Sequence, residues 1–315
     1  MSRRSGALAI SLLMLFIPFH QALSVTHDPC AKISIIAHEG LSGRSPEESK
    51  AAFQLATTLN ADTLSLTVQR SKDHVLILNS DETFERTTNI AEVFPKRIKD
   101  KVSSFTYKEI SQLETGRAFN KMHEEFANSH FIGQKIARFE DIIDLVIGHK
   151  NHPGLLIETA FPEDHPGYER EILALLDKKE AFDNFKVTFQ SYSTDSLNLL
   201  KELRPEVPRI YLTGAVFRDL IKTELDQAEK SGSGISADFA MVPRQNLKDF
   251  LDRAHAKKLA VHLRTVDEPG NMKLLIELGV DGIHSNRLDL LVQQCERMKK
   301  AEVEPLLQKV IGGQL

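Results

Sequence analysis

Short apolar, β-branched runs alternate along the chain with longer stretches whose apolar residues recur at helical spacing. Residues 32–37 read as a buried strand. Residues 46–60 read as a helix that starts at Pro46 and carries apolar Ala52, Phe53, Leu55, Ala56 and Leu59. Further strand-like runs lie at 63–68, 155–159, 186–190, 209–212, 239–242, 259–263 and 281–284, eight with the first. Helical stretches separate most of them, at 168–179, 194–203, 216–230, 245–257, 271–278 and 288–299. Eight strands alternating with helices predict an α/β chain folded as a (β/α)8 TIM barrel. A doubly wound sheet would carry a glycine-rich phosphate loop after its first strand, and His38-Glu39-Gly40 is not one.

Two features interrupt the alternation. The runs 64–68 and 75–78 flank a polar turn at Lys72-Asp73, which predicts an inserted β-hairpin. A turn centred there pairs Ser65 with Ser80 and Thr67 with Leu78, hanging Ser80-Asp81 over the same end of the barrel as His38. Residues 82–151 hold no clear barrel strand, while 107–113 and 136–147 look helical. They predict a mostly helical insertion near the barrel mouth. Ser231-Gly232-Ser233-Gly234 reads as a short flexible loop.

Charge and cysteine content narrow the function classes. The 315 residues carry 40 Lys+Arg against 44 Asp+Glu, so there is no basic excess for nucleic acid. Arg3 and Arg4 precede an apolar run over 7–19, with Ala22 and Ser24 as small residues at a cleavage site. Residues 1–24 are therefore expected to be a signal peptide, leaving a barrel domain over 25–315 in a secreted or periplasmic protein. No later run is long enough to span a bilayer, so the mature chain is not expected to be an integral membrane protein. Cys30 precedes the first strand, and Cys295 lies in the last helix, which runs back to the same end of the barrel. Barrel closure brings these two elements together, making the pair a disulfide candidate; the alternative is a buried apolar thiol at Cys295.

Barrel enzymes carry their chemistry at the C-terminal ends of the strands. Those ends offer His38-Glu39, Ser65, Thr67, Glu158, Ser191, Arg264 and His284-Ser285-Asn286, with Ser80-Asp81 from the hairpin. Over residues 33–292 the chain resembles the glycerophosphodiester phosphodiesterase family, its periplasmic type in particular. Ile36-Ala-His-Glu-Gly40 resembles the family's His-Arg-Gly opening and Ser45-Pro-Glu-Glu48 its Pro-Glu-Asn/His motif. Asn60-Ala-Asp62, Lys72-Asp73, Asp81 with Phe84-Glu-Arg-Thr-Thr88, Ile157-Glu-Thr159, Gln190-Ser191-Tyr192 and Gly279-Val-Asp-Gly-Ile283 follow in the family's order.

The resemblance implies a divalent cation held by a Glu-x-Asp pair and by the Glu of the Ile-Glu-Thr strand. It also implies two histidines as general acid and base, an arginine on the phosphate and a lysine after Ile-Glu-Thr. Here Ser65 and Thr67 stand at the pair, Ser80 at the second histidine, Glu39 at the arginine and Ala160 at the lysine. His38 and Glu158 are retained. Without a cation, Glu39 and Glu158 would repel a phosphodiester about 5 Å away by about 3 kcal/mol per charge at an effective dielectric near 20. The expectation is a family member that has lost metal-dependent hydrolysis, has no resident cofactor, and takes a glycerophosphodiester-like or other polar small molecule. The alternative is an active enzyme with a rebuilt site: Glu39, Glu158, Asp81 and His38 would hold calcium or magnesium, and Arg264 would hold the phosphate. A partner protein docking on the insertion is a third possibility. For the retained residues the bland roles are a hydrogen-bonded core histidine at His38, a relict carboxylate at Glu158 and a loop-organising pair in Asp81 and Arg86.

Overall fold

Strands β1 (Ser34–His38), β2 (Thr63–Arg70), β4 (Gly154–Thr159), β5 (Val187–Ser191), β6 (Arg209–Thr213), β7 (Gly234–Asp238), β8 (Ala260–Arg264) and β9 (Gly282–Ser285) lie parallel and close on themselves through β1 and β2. The computed structural model describes residues 28–214 and 219–311, with side chains to residue 300. The expected signal peptide, residues 1–24, lies outside the described residues. The strand β3 (Leu76–Leu78) adds antiparallel to β2 and makes the expected hairpin. Helices cover the outside, among them Lys50–Thr58, Phe139–Ile147, Tyr168–Lys178, Thr194–Leu203, Ile221–Ser231, Leu247–Ala256, Pro269–Leu278 and Leu288–Ile311. Their apolar faces and the outward strand residues form the main core, with Phe53, Leu64, Leu66, Phe139, Ile143, Tyr168 and Phe189 fully buried. No helix among the described residues is long and apolar enough to cross a membrane.

Several expectations need correction. The first helix starts at Lys50, capped by the Ser49 hydroxyl, and not at Pro46. Glu48 sits at φ 54°, a left-handed conformation that a helix cannot absorb. The seventh barrel strand is Gly234–Asp238; the apolar run after it forms the 3-10 turn Phe239–Met241. Residues 231–234 are therefore no flexible loop. They carry the chain from helix into strand so tightly that a Cβ on Gly232 would stand 2.3 Å from the Arg209 carbonyl oxygen. The insertion is helical only in short pieces joined by loops, around its own small core of Ile77, Phe84, Ile90, Val102, Phe105 and Ile110. It also ends sooner than expected, because the Phe139–Ile147 helix packs into the main core as a barrel helix. Cys30 and Cys295 are disulfide-bonded, their Cα atoms 5.9 Å apart.

Candidate functional site at the barrel mouth

Alternation along each strand decides which side chains face the barrel axis. Parallel registers set Ser65 beside Leu156, Thr67 beside Glu158, Glu158 beside Gln190, and His262 beside Gly282. One inward row thus runs from a polar bottom layer to the mouth. At the bottom, Ser34, Thr63, Thr188 and His262 line a cavity of about 170 Å³. Ile36, Leu156 and Ile210 make an apolar plug above it. His38, Glu158 and Arg264 lie at the strand ends on top.

His38 is fixed by a relay of polar groups. The Asn286 amide donates to Asp267 at 3.0 Å, which turns Asn286 Oδ1 toward His38. His38 Nδ1 donates to that oxygen at 3.1 Å, leaving Nε2 as a bare acceptor. The Ser42 hydroxyl lies 2.8 Å from the same oxygen and 2.6 Å from the His38 carbonyl oxygen. Burial, and then the charge of Arg264, lower the His38 pKa below the ordinary 6.5, so the ring is neutral at pH 7.

Beside it stands Glu39, which shares its field with Glu47, Glu48 and Glu158. Glu158 accepts from Gln190 Nε2 at 3.2 Å, and the same nitrogen reaches Ser65 Oγ at 3.3 Å. Burial raises the Glu158 pKa, while Arg264 and the Gln190 bond oppose the shift. Glu39 stands on left-handed backbone at φ 55° and lies in the field of Glu47, Arg86, Glu158 and Asp81. Burial and then Glu47 push its carboxyl well above the usual range. Gly40 follows at φ 80°, where a Cβ would stand 2.7 Å from that of Ala52, so only glycine fits the turn. Glu48 is buried and accepts the Thr67 backbone N–H at 2.7 Å. Burial and Glu39 raise its pKa as well.

The hairpin residues differ most from expectation. The observed register pairs Val68 with Leu78 and Gln69 with Ile77, one residue off the predicted pairing. A one-residue slip reverses which face each side chain takes. Ser80 therefore does not pair with Ser65; its hydroxyl donates to Glu47 at 2.8 Å. Arg86 grips both Glu47 oxygens, at 2.7 and 2.5 Å, and Asp81 at 2.7 Å. Asp81 thus organises the loop through Arg86. Glu47 is one of the mouth residues, with Glu48 and Gln190, that sequence reasoning did not single out, although it lies inside the Ser45–Glu48 motif. Arg264 is buried and gives its Nη1 to the Ser236 carbonyl and hydroxyl oxygens, and its Nη2 to the Tyr192 hydroxyl and the Thr213 carbonyl. Its terminal N–H groups are spent on neutral partners, which leaves little to grip a phosphate.

A calcium or magnesium ion takes six or more oxygens in a convergent shell. Of the three carboxylates implied for it, only Glu158 is present, flanked by the hydroxyls of Ser65 and Thr67. Among the described residues no three His, Cys, Asp or Glu side chains converge as a metal site. The residues do not fit a hard dication. A cavity of about 790 Å³ lies at the opposite end of the barrel and is lined by residues including Cys30, Lys32, Lys186, Cys295 and Lys299. Barrel chemistry belongs to the other face, and Lys299 there is already paired with Asp28.

The sequence model of the glycerophosphoryl diester phosphodiesterase family matches residues 38–290, from the mouth histidine to the start of the last helix. The chain belongs to that family. A glycerophosphodiester phosphodiesterase of Bacillus subtilis (strain 168) is 29% identical over 264 residues, covering 82% of this chain and 85% of that protein. A glycerophosphodiester phosphodiesterase of Caldanaerobacter subterraneus is 29% identical over 268 residues, 83% of this chain and 97% of that protein. Among solved structures, a glycerophosphodiester phosphodiesterase from Agrobacterium tumefaciens superposes with a TM-score of 0.63 at 22% identity, over 83% of this chain and 99% of that one. An Oleispira antarctica phosphodiesterase, solved with the product sn-glycerol-3-phosphate, gives 0.65 at 20% identity, over 83% and 96%. Both share the barrel fold with this member of the family.

Proposed function

We propose that this chain is an exported family member that has lost dication-dependent hydrolysis and holds a small polar ligand at the barrel mouth. The observation that carries the proposal is the environment of Glu158. Its register partner on β2 is Thr67, and its carboxylate is tied to the neutral Gln190 amide, which also reaches the Ser65 hydroxyl, so no second carboxylate stands at either position of the implied pair. The acid–base pair is also incomplete. Neutral His38 offers Nε2 as a proton acceptor, but the Ser80 hydroxyl, which already donates to Glu47, is too weak an acid to replace an imidazolium in protonating a leaving alkoxide near pH 7. The leader-like residues 1–24 support export, as does a disulfide that persists in an oxidising compartment.

One observation favours a rebuilt hydrolase: Glu39 lies among the mouth carboxylates in the field of Glu158, and not on the outer surface. Turnover separates the two. Purified protein with glycerophosphocholine, assayed with excess calcium, with magnesium and with chelator, is expected to release no choline above the no-protein control. Release that depends on either metal would establish the rebuilt site.

A further inference from the structure

The mouth is rich in hydrogen-bond acceptors and short of donors. The Glu39 carboxylate has no side-chain hydrogen bond among the described residues. The nearest basic atom is His38 Nδ1 at 3.9 Å, which belongs to a neutral ring and already donates to Asn286. Gln190 is 2% exposed, and its Nε2 is spent on Glu158 and Ser65. Its Oε1 has no partner, and it belongs to the same amide, inside the barrel against Glu158. Glu48 Oε2 is likewise buried and unpartnered. Neither arginine answers this deficit: Arg86 is held by Glu47 and Asp81, and the terminal nitrogens of Arg264 go to Ser236, Tyr192 and Thr213.

Among the described residues no three His, Cys, Asp or Glu side chains form a metal site, so the mouth suits a hard dication poorly. A larger cation with N–H donors can reach acceptors several ångströms apart. A buried acceptor left without a donor is destabilising, and such an occupant would relieve that at Gln190. We propose that the mouth binds an organic ammonium group, whose charge favours the ionised forms of Glu39 and Glu158 and makes them its counter-charges, with Gln190 Oε1 as a hydrogen-bond acceptor. Glu39 is then the residue that sets ligand charge, and it stands where the family resemblance implies an arginine for phosphate. The proposal rests on the mouth being a ligand site without a dication.

Calorimetric titration of the full mature chain with ethanolammonium chloride tests it, with glycerol as the neutral control and calcium chloride in a parallel arm. Saturable ethanolammonium binding is expected, with none for glycerol. Glu39→Gln should weaken it at least tenfold and Glu39→Arg should abolish it. Gln190→Leu, which removes the unpartnered oxygen and keeps Glu39, should weaken it several-fold. Thermal melts of each variant show that it is folded before its affinity is read. Absence of saturable ethanolammonium binding by the natural chain overturns the inference, as does a folded Glu39→Gln that binds equally well. Tight calcium binding overturns the proposed function itself, whereas failure of the ammonium arm alone removes only the ligand class.

Discussion

Glu39 and Glu48 both occupy the left-handed region, at φ 55° and 54°, where a residue other than glycine costs of order 1 kcal/mol or more. Their carboxylates are held at the mouth on backbone that no helical periodicity would reveal, which is why a helix from Pro46 was expected. Residues at strand ends were legible from the barrel reading, which puts chemistry at the C-terminal ends of the strands: His38, Ser65, Thr67, Glu158 and Arg264. Glu47, Glu48 and Gln190 were not singled out, because their placement depends on a turn and a neighbouring strand that one sequence does not display. Further down the axis the rings of His38, His284 and His262 follow one another, with centroids 6.0 and 5.5 Å apart. Burial holds His262 down at about 4, against 6.5 for an ordinary imidazole. Between those values the unfolded chain binds a proton that the folded chain refuses, so stability falls as pH drops from 6.5 toward 4. Because His262 is only part-buried, the loss is discounted to about 2 kcal/mol. Urea unfolding at pH 7 and pH 4.5 is expected to show a larger loss for the natural chain than for His262→Asn. The raised carboxyls Glu39, Glu48 and Glu158 act in the opposite direction in both proteins and cancel in the difference.

Among elements, the long amphipathic helices and strongly apolar strands were readable, and the weakly patterned ones were not. The seventh strand, Gly-Ile-Ser-Ala-Asp, is small and polar at alternate positions. It is a strand because its neighbours leave no other room: a Cβ on Gly234 would stand 2.5 Å from Ile210 Cδ1. The apolar run after it looked the better strand and is a 3-10 turn. The hairpin shows how finely turn geometry sets register, since one residue separates the expected pairing from the observed one. Its loop is held by Gln69, whose buried amide donates to the carbonyls of Asn79 at 2.7 Å and Asp81 at 2.6 Å. Gln69→Leu strands buried acceptors and is expected to cost about 2 kcal/mol. Faster hydrogen exchange confined to residues 76–86 would mark the loosened hairpin, and unchanged exchange there would mean that Gln69 does not hold it.

On the scale of the whole molecule, the barrel is fastened where its first strand meets its last helix. The Cys30–Cys295 bond closes a separation of 265 residues, for which chain entropy gives about 5 kcal/mol, less any strain. Protein purified without reductant is expected to show no titratable thiol in denaturant, and its melting temperature should fall by several degrees on reduction. An unchanged melting temperature would leave the bond without a structural role. The same barrel presents a family architecture, and for its mouth we propose that the acidic groups form no dication shell. Calcium titrated calorimetrically into the natural chain, beside the variant combining Ser65→Glu, Thr67→Asp, Ser80→His and Glu39→Arg, tests it directly. The natural chain is expected to give only heats of dilution and the folded variant a saturable isotherm; saturable, micromolar calcium binding by the natural chain would contradict the account.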